Sequence, residues 1–211
     1  MHASKICDAI VAPALAYTPA PFNTAFSGTV SVTEDVFRSY CREIIGGLLE
    51  QGFSGVFVVN GHGANLEPMR QVGAGFPPEL LSIRSWWEPP AVDTLRQDLY
   101  GDWEGMHATP SEVAITQSLL GILPEGDAAT PPEKLSSVYI RAHSGDRHGR
   151  ADDYRARFPD GRVGSHSALA RPEHGVRLLR AAAEAIAQEF RQFEARKCSG
   201  PVPPAVSADD N

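Results

Sequence analysis

The sequence predicts an α/β fold, a three-layer α/β/α sandwich around a mostly parallel sheet, and three observations predict it. Val56-Phe57-Val58-Val59 and Leu80 to Trp87 are short apolar runs, as expected of strands buried on both faces. Stretches with helical apolar spacing precede, separate and follow them, a strand–helix rhythm that implies right-handed crossovers. The first run stops at Asn60-Gly61-His62-Gly63, and open α/β sheets bind ligands beyond the carboxyl ends of their strands.

Taken in order, Ala9 to Ala16 reads as a first strand, with Pro13 pushing it towards an edge. Thr18 to Phe26 is a loop and Ser27 to Ser31 a turn. Ser31 and Glu34 form a capping-box pair for a helix reaching about Gln51. Phe37, Cys41, Ile44, Ile45, Leu48 and Leu49 make its apolar stripe, and Gly52 stops it. After His62, the run from Leu66 to about Val72 begins a short helix that tolerates Pro68 near its start. Leu80 to Trp87 is the third strand, ended by Glu88-Pro89-Pro90. Asp93 to Tyr100 is helical, as is Pro110 to Leu120, with Thr109 as N-cap and Glu112 in the first turn. Residues 121–170 read as loop with a short strand at Ser137 to Ile140. A long amphipathic helix runs from Arg171 to about Lys197, its apolar face drawn through Val176, Leu179, Ala183, Ile186 and Phe190.

Length and composition narrow the class. At 211 residues one domain over 1–199 is expected, followed by a Pro-rich disordered tail over 200–211. A net charge of −7 with scattered basic residues excludes the basic stripe of a nucleic-acid binder. The stretch from Arg147 to Arg157 is interleaved with Asp146, Asp152 and Asp153 and reads as a solvated loop. Three cysteines without a CxxC pair fit a reducing compartment. No apolar run reaches transmembrane length and no signal peptide opens the chain, so a cytoplasmic protein without membrane contact is expected.

Two stretches carry chemistry. In the first, His62 stands at a strand end between Gly61 and Gly63, which let the backbone turn and approach a bound group. Asn60 and Asn65 can hold that loop or the imidazole in one geometry, the support that metal-ligating histidines need. In the second, His107 lies just before a helix N-terminus and Glu112 one turn inside it. Two histidines and a carboxylate suit a metal site or general acid–base catalysis. Each also has a plainer role: a loop histidine bonded to a carbonyl, or a glutamate capping its helix. Trp86 ends a strand on the same rim and can wall a pocket, or pack in the core. Asn23, Ser27 and Thr29 precede a helix and can touch substrate or simply form the turn. No GxGxxG or P-loop follows a strand, which leaves a nucleotide-binding reading without support.

Several stretches together resemble the creatininase family of metal-dependent amidohydrolases. Asn60-Gly61-His62-Gly63-Ala64-Asn65 is similar to the family's NGHGGN, with Ala64 for a glycine. Phe26 to Ser31 resembles FPGTxS, with Ser27 for the proline, and His107 to Glu112 reads as the HATPSE of one branch. Phe158 to Arg162 and Pro172 to Gly175 are similar to that branch's C-terminal segment. The resemblance spans roughly residues 9–196. It implies a creatininase-like three-layer fold, often hexameric, and hydrolysis of a C–N bond in a cyclic or linear small-molecule amide. The implied cofactor is a divalent metal, zinc first, with manganese or iron as alternatives. By residue, His62 would be a metal ligand, Glu112 a ligand or base, and His107 would polarise the substrate or shuttle a proton. Ser31, Asn60, Gly61, Gly63, Asn65 and Trp86 would form the substrate surroundings. The family's upstream Glu-x-His and Asp-bearing turn has no counterpart before Ala9. The expectation is therefore a chain short of ligands at its N-terminus. The alternative is a catalytically impaired relative with a structural or small-molecule-binding role.

Overall fold

Two parallel strands, β1 (Val56–Asn60) and β2 (Leu81–Ser85), organise a computed structural model that describes residues 2–122 and 126–198. Their register pairs Val56 with Leu81 and Asn60 with Ser85. Parallel pairing requires a crossover, and helix α3 (Leu66–Gly73) supplies it. Helix α2 (Glu34–Glu50) lies beside α3. Phe37, Cys41 and Ile45, spaced four apart on one face of α2, are buried against Met69, Val72 and Leu81. Val56 and Val58 pack on this cluster, whereas Phe57, pointing the other way as strand alternation requires, meets Phe190 and Phe193 edge-on. Those two phenylalanines belong to α8 (Pro172–Cys198), so the small sheet has helices on both faces.

A second core joins α8 to α4 (Pro90–Tyr100) and α5 (Pro110–Leu120) through Val92, Ala114, Leu178 and Ala182. Gly175 makes the α5–α8 approach possible: a Cβ there would collide with the Ala114 carbonyl and stand 2.9 Å from the Ile115 nitrogen. A third cluster, Phe22, Tyr154, Phe158 and Val163, is built mostly from loops and from α7 (Ala151–Arg157). The remaining helices are α1 (His2–Cys7), which lies along α8, and α6 (Ser137–Ala142). None of the described helices is long and apolar enough to cross a membrane.

Several expectations are corrected. Among the described residues the sheet has two strands only. Ala9 to Ala16 forms no strand, and Ile10 is 85 % exposed. Alanine has weak β-propensity and Pro13 lacks a ladder donor, so the run has little to hold it on a sheet edge. Ser137 to Ile140 is helical despite its β-branched look, because the Ser136 hydroxyl caps it by accepting from the Tyr139 amide. The N-cap of α2 is Thr33, which accepts from Val36, while the Ser31 hydroxyl accepts from the Ala20 amide. Helix α4 starts at Pro90, three residues early, since proline suits a first helical turn. On α8 the buried face runs through Leu178, Ala182, Ala183, Ile186 and Phe193, and Val176 is exposed. The Gly175–Ala114 contact sets that rotation. The expected proline-rich tail, 200–211, lies outside the described residues.

Candidate metal centre

β1 ends at Asn60, whose buried side chain folds the next five residues into one shape. Its Nδ2 donates to the His62 carbonyl (3.0 Å) and to Ser85 Oγ (3.3 Å). Its Oδ1 accepts from the His62 amide and from Asn65 Nδ2, both at 3.2 Å. Asn60 and Asn65 thus fix the backbone that presents His62; they stand behind the wall of the cleft, outside its lining.

His107 arrives by a different route. A single antiparallel bridge ties it to Val163: Met106 donates to the Val163 carbonyl (2.9 Å), and the Val163 amide to His107 (3.3 Å). Gly105, at φ +64°, permits this, because a Cβ there would sit 2.5 Å from the Ser165 amide. Asn23 Nδ2 lies 3.1 Å from His107 Nε2.

Asp146 is the third member, and sequence reasoning missed it. The segment between α6 and α7 turns at Gly145 and Asp146, both at positive φ, a region where glycine and aspartate are the best tolerated residues. That turn brings the carboxylate, 7 % exposed, to 3.5 Å from His62 Nε2. It packs directly on the Cα of Gly63, where a Cβ would come within 3.1 Å of Asp146 Cγ and nearer still to Oδ2. The close approach expected at Gly63 is therefore made by a protein carboxylate. His148, with a 2 % exposed side chain, stands 3.7 Å from the other carboxylate oxygen, and its Nε2 has no hydrogen-bond partner. The signal in the sequence was an aspartate in Gly145-Asp146-Arg147-His148-Gly149, a turn with glycines at both ends and a histidine inside it.

One ligand atom from each of His62, His107 and Asp146 lies within 4.8 Å of the other two. A tetrahedral zinc with bonds of about 2.0–2.2 Å spaces its ligand atoms at roughly 3.3–3.5 Å. The 3.5 Å between His62 and Asp146 fits that edge. Two nitrogens and an oxygen also match the three-protein-ligand pattern of catalytic zinc, with a fourth position open. Burial lowers the pKa of both histidines below the ordinary 6.5, against the opposite pull of Asp146. The Phe22 ring, 5.7 Å from His107 and 6.3 Å from His62 between centroids, supplies part of that apolar surrounding. Both imidazoles are then neutral at pH 7, the form that binds metal.

These groups line a cavity of about 520 Å³. Trp86 and Trp87 form one wall with their rings perpendicular, and Thr109 and Glu112 another. Glu112 closes the capping box: its Oε2 accepts from the Thr109 amide (3.0 Å) and hydroxyl (2.9 Å). Glu112 lines the cavity but is not one of the three clustered ligand groups. Gly63 and Trp86 also line the cavity; Gly61 and Ser31 do not.

A family model described as creatininase, creatinine amidohydrolase, matches residues 1–190. Among solved structures, a mutant creatininase complexed with creatine is 21 % identical, with a TM-score of 0.59, covering 90 % of this chain and 79 % of the other. A mutant creatininase of Zn-Zn type is 21 % identical (TM-score 0.61; 90 % and 78 % covered). A manganese creatininase is 22 % identical (TM-score 0.58; 90 % and 78 %). At these identities the likeness is one of fold. No curated protein matches the sequence.

Proposed function

The chain belongs to the creatininase family, and from that premise we propose that it hydrolyses a carbon–nitrogen bond of a cyclic or linear amide in the cleft of His62, His107 and Asp146. The observation that carries this reading is the convergence of those three ligand groups beside Glu112 in one cavity. His62, His107 and Asp146 would hold a divalent ion, zinc or manganese as in the similar proteins or else iron, and that ion would supply a Lewis acid to polarise a carbonyl and lower the pKa of water to about 7. His62 is held for this role by Asn60 and Asn65. Asp146 would offset one positive charge of the ion. Glu112 keeps Oε2 on Thr109 and has no partner for Oε1 among the described residues, so Oε1 takes a proton from the attacking water and returns it to the leaving nitrogen. Trp86 and Trp87 exclude water along one side. Asp146 offers a third candidate ligand, which favours this reading over the alternative of a non-catalytic binding protein short of ligands. A homo-oligomer, hexameric by resemblance, belongs to the same proposal and is read by light scattering.

The test is turnover on a panel of creatinine, formamides, lactams and short peptides. Activity should vanish on chelation and return with zinc or manganese. Glu112→Gln should keep the metal yet lower kcat about 10²–10⁴-fold, the usual contribution of a general acid–base. Metal-loaded protein inactive across the panel would leave only the binding role.

A further inference from the structure

We infer that the amide taken by this cavity carries a carboxylate, and that Arg141 is the group that reads it. Two arginines are among the residues that line the cavity. Arg96 is committed: its Nε lies 2.9 Å from Glu104 Oε1, Asp93 stands at 3.7 Å, and it sits over the Trp86 ring. Arg141, in the last turn of α6, has no hydrogen-bond or ion-pair partner for its guanidinium among the described residues. An arginine on a cavity wall with all its donors free matches a planar oxyanion that binds through two of them.

The inference rests on the hydrolase reading of the cavity. Arg96 is paired with Glu104, which leaves Arg141 as the unpaired arginine of the lining among the described residues. A planar carboxylate meets a guanidinium through two parallel N–H donors, a fit in shape as well as charge. A cavity of about 520 Å³ holds a molecule the size of an acylated amino acid. With the carboxylate on Arg141 and the scissile amide at the metal ligands, an apolar side chain would lie on Trp86 and Trp87.

The experiment reads binding, so that it stays independent of turnover. Zinc-loaded protein carrying Glu112→Gln is titrated calorimetrically with N-formylglycine, N-formylleucine and N-formylphenylalanine and with their methyl esters. At least one acid should bind about 10–100-fold tighter than its ester, the worth of a charge-assisted pair. Arg141→Gln should erase that preference and Arg141→Lys should keep part of it. Arg141 is exposed, and unchanged thermal melts check that both variants fold. Equal binding of every acid and its ester overturns the inference. So does a preference that survives Arg141→Gln, since the metal would then hold the carboxylate. Inorganic phosphate competing as well as the acids overturns the choice of carboxylate. Loss of turnover with the preference intact would refute the hydrolase reading alone.

Discussion

Gly63→Ala separates a metal centre from a chance meeting of polar groups. The added methyl would stand 3.1 Å from Asp146 Cγ and closer to Oδ2. Ordinary contact of about 3.5 Å or more requires the carboxylate to withdraw by about 1 Å. Metal–ligand distances tolerate only about 0.2 Å, so Asp146 would leave the coordination sphere. Zinc affinity should fall at least 10–100-fold, the cost of merely disturbing a ligand's support, or about 1.4–2.7 kcal/mol. Folding should be nearly untouched. Gly63 has no positive φ, and the Asp146 nitrogen would be 3.5 Å away, an ordinary contact, so the adjustment is confined to one short side chain. The assay is competition with a chromophoric chelator, alongside a urea melt of metal-free protein. Affinity within threefold of wild type would refute the reasoning. An equal loss of metal-free stability would also refute it, by assigning the effect to the fold.

Two further outcomes follow from the geometry. His62 and His107 are pushed below 6.5 by burial, so apparent zinc affinity should hold from pH 8 down to 6.5 and fall only below that, steepening towards about two decades per pH unit as two imidazoles take up protons. In metal-free protein the unfolded chain binds those protons first, so stability declines as pH falls through the ordinary histidine range around 6.5; zinc affinity already falling above 6.5, or metal-free stability that does not decline with falling pH, would contradict the burial. Gly175→Ala places a methyl against the Ala114 carbonyl and should cost about 1–3 kcal/mol or more in chemical denaturation, while an unchanged midpoint would mean that α5 and α8 do not approach so closely.

What the sequence disclosed was local. His62 could be placed because an apolar strand and an Asn-Gly pair adjoin it, and Glu112 because a capping box needs only four residues. His107 was visible as a residue, but its position depends on pairing with Val163, 56 residues on. Asp146 was hidden among charges that look solvated. Its burial comes from Gly63, contributed by a different part of the chain. The false strand at Ala9 to Ala16 has the same origin: a short apolar run predicts a strand only where an edge is available to receive it.

The central claim, that Asp146 completes a metal site with His62 and His107, is tested most directly by titrating zinc into chelator-stripped protein, wild type beside Asp146→Asn. One zinc per chain is predicted, with affinity falling at least about 100-fold in the variant. An Asp146→Asn protein that binds zinc as wild type does would contradict it.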